Sequence, residues 1–204
     1  MAKPLVVVFA GAQAPTGWRG RRLRKMAEKL GRAIGEAGFD VIYGGGSRGL
    51  MGWVTNAAYK FGAQIEAVLL HRFEKDKEAT PAKIIGTVET EYERFPLMMA
   101  QKPQALFVLP GGSGTHREAW QGIEDAIYNH GPPVILVDSG RSLRGIRKDF
   151  NKAIKDGLIK PEFKNILRTY KPEHTWLPGR KSLQEVLAIP MPTAAAPAAG
   201  GPRP

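Results

Sequence analysis

The sequence predicts an α/β fold: a doubly wound parallel sheet with helices on both faces. Three patterns along its 204 residues point there. Apolar runs of strand length alternate with segments whose apolar residues recur every three or four positions. The strand runs are continuous rather than alternating, as in parallel strands covered on both faces. Glycine-rich turns stand at strand ends, where such sheets hold ligands.

Leu5–Ala10 is the first apolar run. One early charge before it resembles a weak signal peptide, but Gly11, Pro15 and Gly17 break the run so soon that a buried strand is the better reading. Arg22–Ala37 places Leu23, Met26, Ala27, Leu30, Ala33, Ile34 and Ala37 at helical spacing, and Gly38 ends that helix. Asp40–Tyr43 is the second strand, Gly49–Phe61 the next helix and Ile65–Leu70 the third strand. Residues 71–83, charged and carrying Pro81, read as a loop. Ile84–Val88 follows as a strand, then a helix over Tyr92–Ala100 with Pro96 in its first turn. Ala105–Leu109 is a strand ended by Pro110, Thr115–Asn129 a helix and Val134–Val137 a strand. Leu143–Lys155 is a basic amphipathic helix, Ile166–Tyr170 a last strand and Ser182–Ala188 a short terminal helix. Residues 1–189 thus read as a single domain, long enough to bury a core without staples. The Ala/Pro/Gly-rich tail, 190–204, buries too little surface to offset its ordering entropy, and disorder is expected there.

Composition narrows the chemistry. With no cysteine, disulfides, thiolate metal sites and a cysteine nucleophile are excluded. No apolar run approaches the ~18 residues of a membrane span, and a cytoplasmic protein is the default. His71, His130 and His174 have no paired ligand spacing, so no metal is expected. The formal net charge is +11, with ten basic against three acidic residues between positions 141 and 171. Positions 19 to 32 hold seven basic residues against Glu28 alone. Such a surface attracts phosphates and nucleotides. Solvated helix faces explain it more simply. The chain lacks a zinc finger, an RNP motif and a basic heptad array, which argues against a nucleic-acid reader.

Two glycine loops carry the functional signal. The first is Tyr43-Gly44-Gly45-Gly46-Ser47-Arg48-Gly49-Leu50-Met51-Gly52, and the second is Leu109-Pro110-Gly111-Gly112-Ser113-Gly114-Thr115-His116-Arg117-Glu118. Each follows a strand and opens a helix, a geometry that offers unpaired N–H groups and the positive helix end to an anion. Glycine lets the backbone approach a phosphate closely, and Ser47, Ser113 and Thr115 add hydroxyl donors. The candidate phosphate-binding set is therefore Gly11 of the first strand's loop, Gly45, Gly46, Ser47, Gly49 and Met51 of the first glycine loop, and Gly111, Gly112, Ser113, Gly114 and Thr115 of the second. The Met51 side chain by itself reads as a core or helix contact, like Met98 and Met99. Neither loop continues into the Gly-Lys-Ser/Thr of a Walker A motif, and the first strand is not followed by Gly-x-Gly-x-x-Gly. On these residues alone, Glu118 is a capping-box carboxylate behind Thr115 or a functional acid. Trp53 and Trp120 are base-stacking, core or subunit-contact residues.

Tyr43–Gly52 resembles the glycine-rich segment of the Lonely Guy (LOG) family, and Pro110–Glu118 matches that family's Pro-Gly-Gly-x-Gly-Thr-x-x-Glu signature in full. The resemblance extends over Leu5 to Leu158. It implies a Rossmann-like fold without a redox cofactor, assembled as a homodimer or larger homo-oligomer. It also implies hydrolysis of the N-glycosidic bond of a nucleoside 5′-monophosphate to free base and ribose 5-phosphate, with Glu118 and Arg94 as the catalytic residues. A carboxylate suits an oxocarbenium-like transition state, and it can also orient the attacking water. An arginine suits the phosphate or the departing base. The segments that would face the base depart from the family pattern: Arg94-Phe95 stands in place of Arg-Lys, Gly11-Ala12-Gln13-Ala14 in the first loop, and Leu69-Leu70-His71 after the third strand. Three readings stay open: a phosphoribohydrolase, a LOG-like carrier of a phosphorylated ligand such as molybdenum cofactor, and a nucleic-acid-associated module.

Overall fold

The computed structural model describes residues 3–76, 82–138, 142–172 and 181–191. Seven strands, β1 (Leu5–Phe9), β2 (Asp40–Tyr43), β3 (Ile65–Leu70), β4 (Ala82–Val88), β5 (Ala105–Val108), β6 (Val134–Val137) and β7 (Leu167–Tyr170), form one sheet. Its order is β4-β3-β2-β1-β5-β6-β7 and every pairing is parallel. The six helices are α1 (Gly17–Glu36), α2 (Gly49–Lys60), α3 (Glu91–Met99), α4 (Ser113–Tyr128), α5 (Arg144–Lys155) and α6 (Leu183–Leu187).

Side chains alternate across a strand, so β1 feeds two cores. Val6 and Val8 pack with Met26 and Leu30 of α1, Val54 of α2 and Val186 of α6. Val7 and Phe9 pack on the opposite face with Met98 of α3, Ile123 of α4 and Phe150 of α5. The expected α/β sheet with helices on both faces is therefore the observed architecture. Arg168 on β7 pins α6 to it: its guanidinium donates to the carbonyls of Val186 (2.8 Å), Leu187 (3.2 Å) and Ile189 (2.6 Å). These are end-of-helix carbonyls without helical partners, and a cation suits them. Burial lowers the Arg168 pKa.

Some boundaries differ from the sequence reading. α1 begins at Gly17 rather than Arg22, because Gly17 and Gly20 lie inside the helix instead of breaking it. A Cβ on Gly20 would stand 1.8 Å from the Pro15 carbonyl oxygen, so the first turn closes only around glycine. Residues His71–Asp76 form a 3₁₀ turn where a loop was expected, and β4 starts at Ala82. A second 3₁₀ turn, Pro161–Asn165, was not foreseen. Pro96 sits inside α3, not in its first turn, because the cap is Thr90, whose hydroxyl accepts from the Glu93 N–H. Proline removes the donor that would meet the Tyr92 carbonyl. Residues 192–204 of the tail, and His174, lie outside the described residues.

The tightest helix contact is α1 on α2. A Cβ at Gly31 would lie 2.2 Å from the Val54 carbonyl oxygen and 2.7 Å from the Ala57 Cβ. Alanine would favour an isolated helix by roughly 0.5–1 kcal/mol, but overpacking costs about 1–3 kcal/mol. Gly31→Ala is expected to destabilise the fold by a net ~1 kcal/mol or more, read as a lower urea midpoint at unchanged slope.

Candidate functional site

The sheet order reverses between β1 and β5. The chain leaves β1 for α1 on one face and leaves β5 for α4 on the other, which opens a crevice at the strands' carboxyl ends. Gly11 sits in that crevice. Its N–H donates to the Pro110 carbonyl at 3.1 Å, and its carbonyl accepts from the N–H groups of Leu50 (3.0 Å) and Met51 (3.3 Å). One residue thus ties the first strand's loop to both glycine loops. A side chain on Gly111 would break the arrangement, since its Cβ would fall 2.1 Å from the Thr115 Oγ1 and 2.9 Å from the Gly11 N.

This bonding divides the two helix ends. The Leu50 and Met51 donors at the start of α2 are used by Gly11, so that end is largely closed to an anion. The N–H groups of Ser113, Gly114 and Thr115 in α4 have no protein acceptor among the described residues. The second loop thus leaves its helix-end N–H groups open, whereas in the first the Leu50 and Met51 donors are taken by Gly11.

A cleft of about 410 Å³ opens beside these loops, large enough for a nucleotide. Of the candidate residues, Gly45, Gly46, Ser47 and Met51 line one wall and Ser113, Gly114 and Thr115 another, with Arg94 and Glu118 between. Gly11, Gly49, Gly111 and Gly112 stand behind the wall and shape the loops without lining the cleft. His116 does not line it. Trp53 packs on the α1 side, where the Arg24 guanidinium lies 5.8 Å from its ring, and Trp120 is partly exposed on α4, so neither reaches the cleft.

Arg94 and Glu118 meet across 24 residues of sequence: Arg94 Nη2 donates to Glu118 Oε1. Their side chains are only 13% and 10% exposed. Helix α3 brings Arg94 in because Phe95 stacks on Phe9 of β1, with ring centroids 6.1 Å apart. Phe95 is therefore a packing residue. Gly44 leaves room for the arginine, whose Nη1 would be 3.1 Å from a Cβ there. Burial raises the Glu118 pKa, against the opposing pull of the Arg94 charge and hydrogen bond and of Arg117.

Among the cleft residues that escaped the sequence reading are Arg72, Glu91 and Arg117. Arg72 pairs with Glu91, and Arg117 Nη2 approaches the same carboxylate at 3.8 Å. Partial burial pushes the Glu91 pKa up, but its own backbone N–H, its hydrogen bond to Arg72 and the two guanidinium charges outweigh that and hold it low. Arg117 lies inside the signature, one residue before Glu118, and Glu91 lies one helical turn before Arg94. Those positions were the available signals. Among the described residues no group of three or more His, Asp or Glu could hold a metal ion, and no helix is long and apolar enough to cross a membrane.

Known proteins bear directly on this geometry. Residues 51–176 match the family model described as possible lysine decarboxylase. The chain is 31% identical over 159 residues to a cytokinin riboside 5′-monophosphate phosphoribohydrolase of Rhodococcoides fascians, covering 76% of this chain and 78% of that one. It belongs to the LOG family. A second LOG-family relative, the cytokinin riboside 5′-monophosphate phosphoribohydrolase LOG1 of Arabidopsis thaliana, is 28% identical over 199 residues, 87% of this chain and 88% of its own. The fold of this LOG-family chain also resembles that of the molybdenum cofactor carrier protein of Chlamydomonas reinhardtii. There the TM-score is 0.60 at 20% identity, over 83% of this chain and 90% of the carrier.

The glycines of the second loop differ in what they tolerate. A Cβ on Gly112 would meet nothing within 4 Å. Gly111→Ala is expected to cost about 1–3 kcal/mol by overpacking, whereas Gly112→Ala should stay within about 0.5 kcal/mol. Paired urea titrations of the two variants measure the difference.

Proposed function

We propose that the chain hydrolyses the N-glycosidic bond of a nucleoside 5′-monophosphate, releasing free base and ribose 5-phosphate. The observation that carries this reading is the buried Arg94–Glu118 pair beside the open N-terminus of α4. Relatives named as phosphoribohydrolases support it. In this scheme the 5′-phosphate rests on the N–H groups of Ser113, Gly114 and Thr115 and on the Ser47, Ser113 and Thr115 hydroxyls. That seats the ribose near Glu118, one helical turn further along α4. As the C1′–N bond breaks, positive charge gathers on the sugar, and the ionised Glu118 stabilises it at close range. One water is consumed: its hydroxyl ends on C1′ and its proton on the departing base nitrogen. Arg94 holds Glu118 ionised against its burial and fixes its direction.

A second reading is a carrier that binds a phosphorylated ligand, such as molybdenum cofactor, without cleaving it. Four guanidinium groups against two carboxylates in the cleft would suit such an anionic cargo. For either role we place the protein in the cytoplasm. We also propose a homodimer or larger homo-oligomer, formed through the exposed aromatics Tyr92, Trp120 and Tyr128 on α3 and α4.

A panel of nucleoside 5′-monophosphates, a cytokinin ribotide included, tests the hydrolase reading through released base and ribose 5-phosphate. Glu118→Ala is expected to lower kcat at least about 100-fold, the scale of losing one preorganised electrostatic group. No release from any nucleotide by the unmodified protein would sink the proposal and favour the carrier.

The acid limb of kcat/KM gives an independent check. The Glu118 pKa is raised by burial, so the active ionised form is lost on acidification at a higher pH than for an ordinary glutamate of pKa 4.5. The limb is therefore expected above that value. Arg94→Met removes the opposing charge and should move the limb further up. A limb at or below the ordinary value would exclude ionised Glu118 as the active form.

A further inference from the structure

We propose that the Arg117 end of the cleft binds a second anionic group of the ligand, a carboxylate on the base or a second phosphate on the sugar. This rests on the reading that the cleft takes a nucleotide 5′-phosphate at α4.

The argument starts from Arg117 itself. Its Nε and Nη2 are buried and have no hydrogen-bond partner. Among the described residues, two contacts hold the guanidinium. Glu91 lies 3.8 Å from Nη2, too far to hydrogen-bond, and the Tyr92 ring centroid is 5.9 Å from the guanidinium carbon. Leaving such donors unmatched is costly. No protein hydrogen bond resists a small rotation that would turn these nitrogens toward an incoming oxygen.

Charge matching points the same way. Arg94 is committed to Glu118, and Arg72 to Glu91. Among the described residues the charges of Glu91 and Glu118 both act on Arg117, but Arg72 already hydrogen-bonds to the first and Arg94 to the second. The local set of three arginines (Arg72, Arg94 and Arg117) and two carboxylates therefore carries surplus positive charge. Both contacts of Arg117 lie at the start of α3 rather than in the glycine loops, and the anion proposed here is a group other than the phosphate on the first turn of α4. A planar guanidinium suits a carboxylate or a phosphate equally, through two parallel hydrogen bonds.

Two ligand pairs that differ by a single anionic group test this. One is uridine 5′-monophosphate against orotidine 5′-monophosphate, which adds a base carboxylate. The other is adenosine 5′-monophosphate against adenosine 3′,5′-bisphosphate. Affinities are measured by calorimetry on the full chain and on Glu118→Gln, which is expected to block turnover during titration. At least one doubly anionic member should bind about tenfold or more tightly than its parent, the scale of a hydrogen bond to a charged group. The pair that responds tells carboxylate from phosphate. Arg117→Gln should bring that ratio to near one, and Arg72→Gln, on the more exposed partner, should reduce it. Equal affinities within both pairs, an unchanged ratio in folded Arg117→Gln, or no binding of any of the four would each overturn the proposal. A retained preference without hydrolysis would sink only the hydrolase reading. Hydrolysis of the parents without any preference would sink only this one.

Discussion

At the switch point of the sheet, the Gly11 N–H reaches the Pro110 carbonyl while its own carbonyl takes the N–H groups of Leu50 and Met51. That one residue ties the end of β1 to the loop after β5 and to the start of α2. The contact needs bare backbone on both sides, because Gly11 and Gly111 approach so closely that a Cβ on either would meet the other at 3.0 Å or less. With those loops closed, the cleft has its floor, and α4 is left as the helix end with uncommitted donors. The proposed seat for the 5′-phosphate follows from that division.

The Arg94–Glu118 pair illustrates the cost of placing charge in such a cleft. Removing two ions from water is costly, and their attraction offsets this only with good geometry. The raised Glu118 pKa reflects an incomplete offset. A pair of this kind does little for stability, yet it holds a carboxylate in place and largely shielded from solvent, which favours strong electrostatic action on a developing cation.

Most of the basic charge lies elsewhere and does less. On α1, Arg24 and Arg32 pair with Glu28 and Glu36 one turn along, each at 2.7 Å and about half exposed. Exposed pairs of this type contribute roughly 0.3–0.5 kcal/mol. The positive surplus on α1 and α5 therefore reads as solvated helix face, while the arginines that matter to the proposed chemistry are the few gathered at the cleft.

The sequence by itself determined the strands, the amphipathic helices, the two glycine loops and the signature ending at Glu118. These depend on local periodicity and on backbone freedom at named glycines, both of which are written in neighbouring residues. Tertiary structure decided the rest. Gly11 spends the α2 donors, Phe95 stacks on Phe9 and so aims Arg94 at Glu118, and Arg72, Glu91 and Arg117 arrive from three separate elements. Such contacts depend on how α3 and α4 pack against the sheet, a long-range outcome of burying Met98, Ile123 and their neighbours that no local pattern encodes.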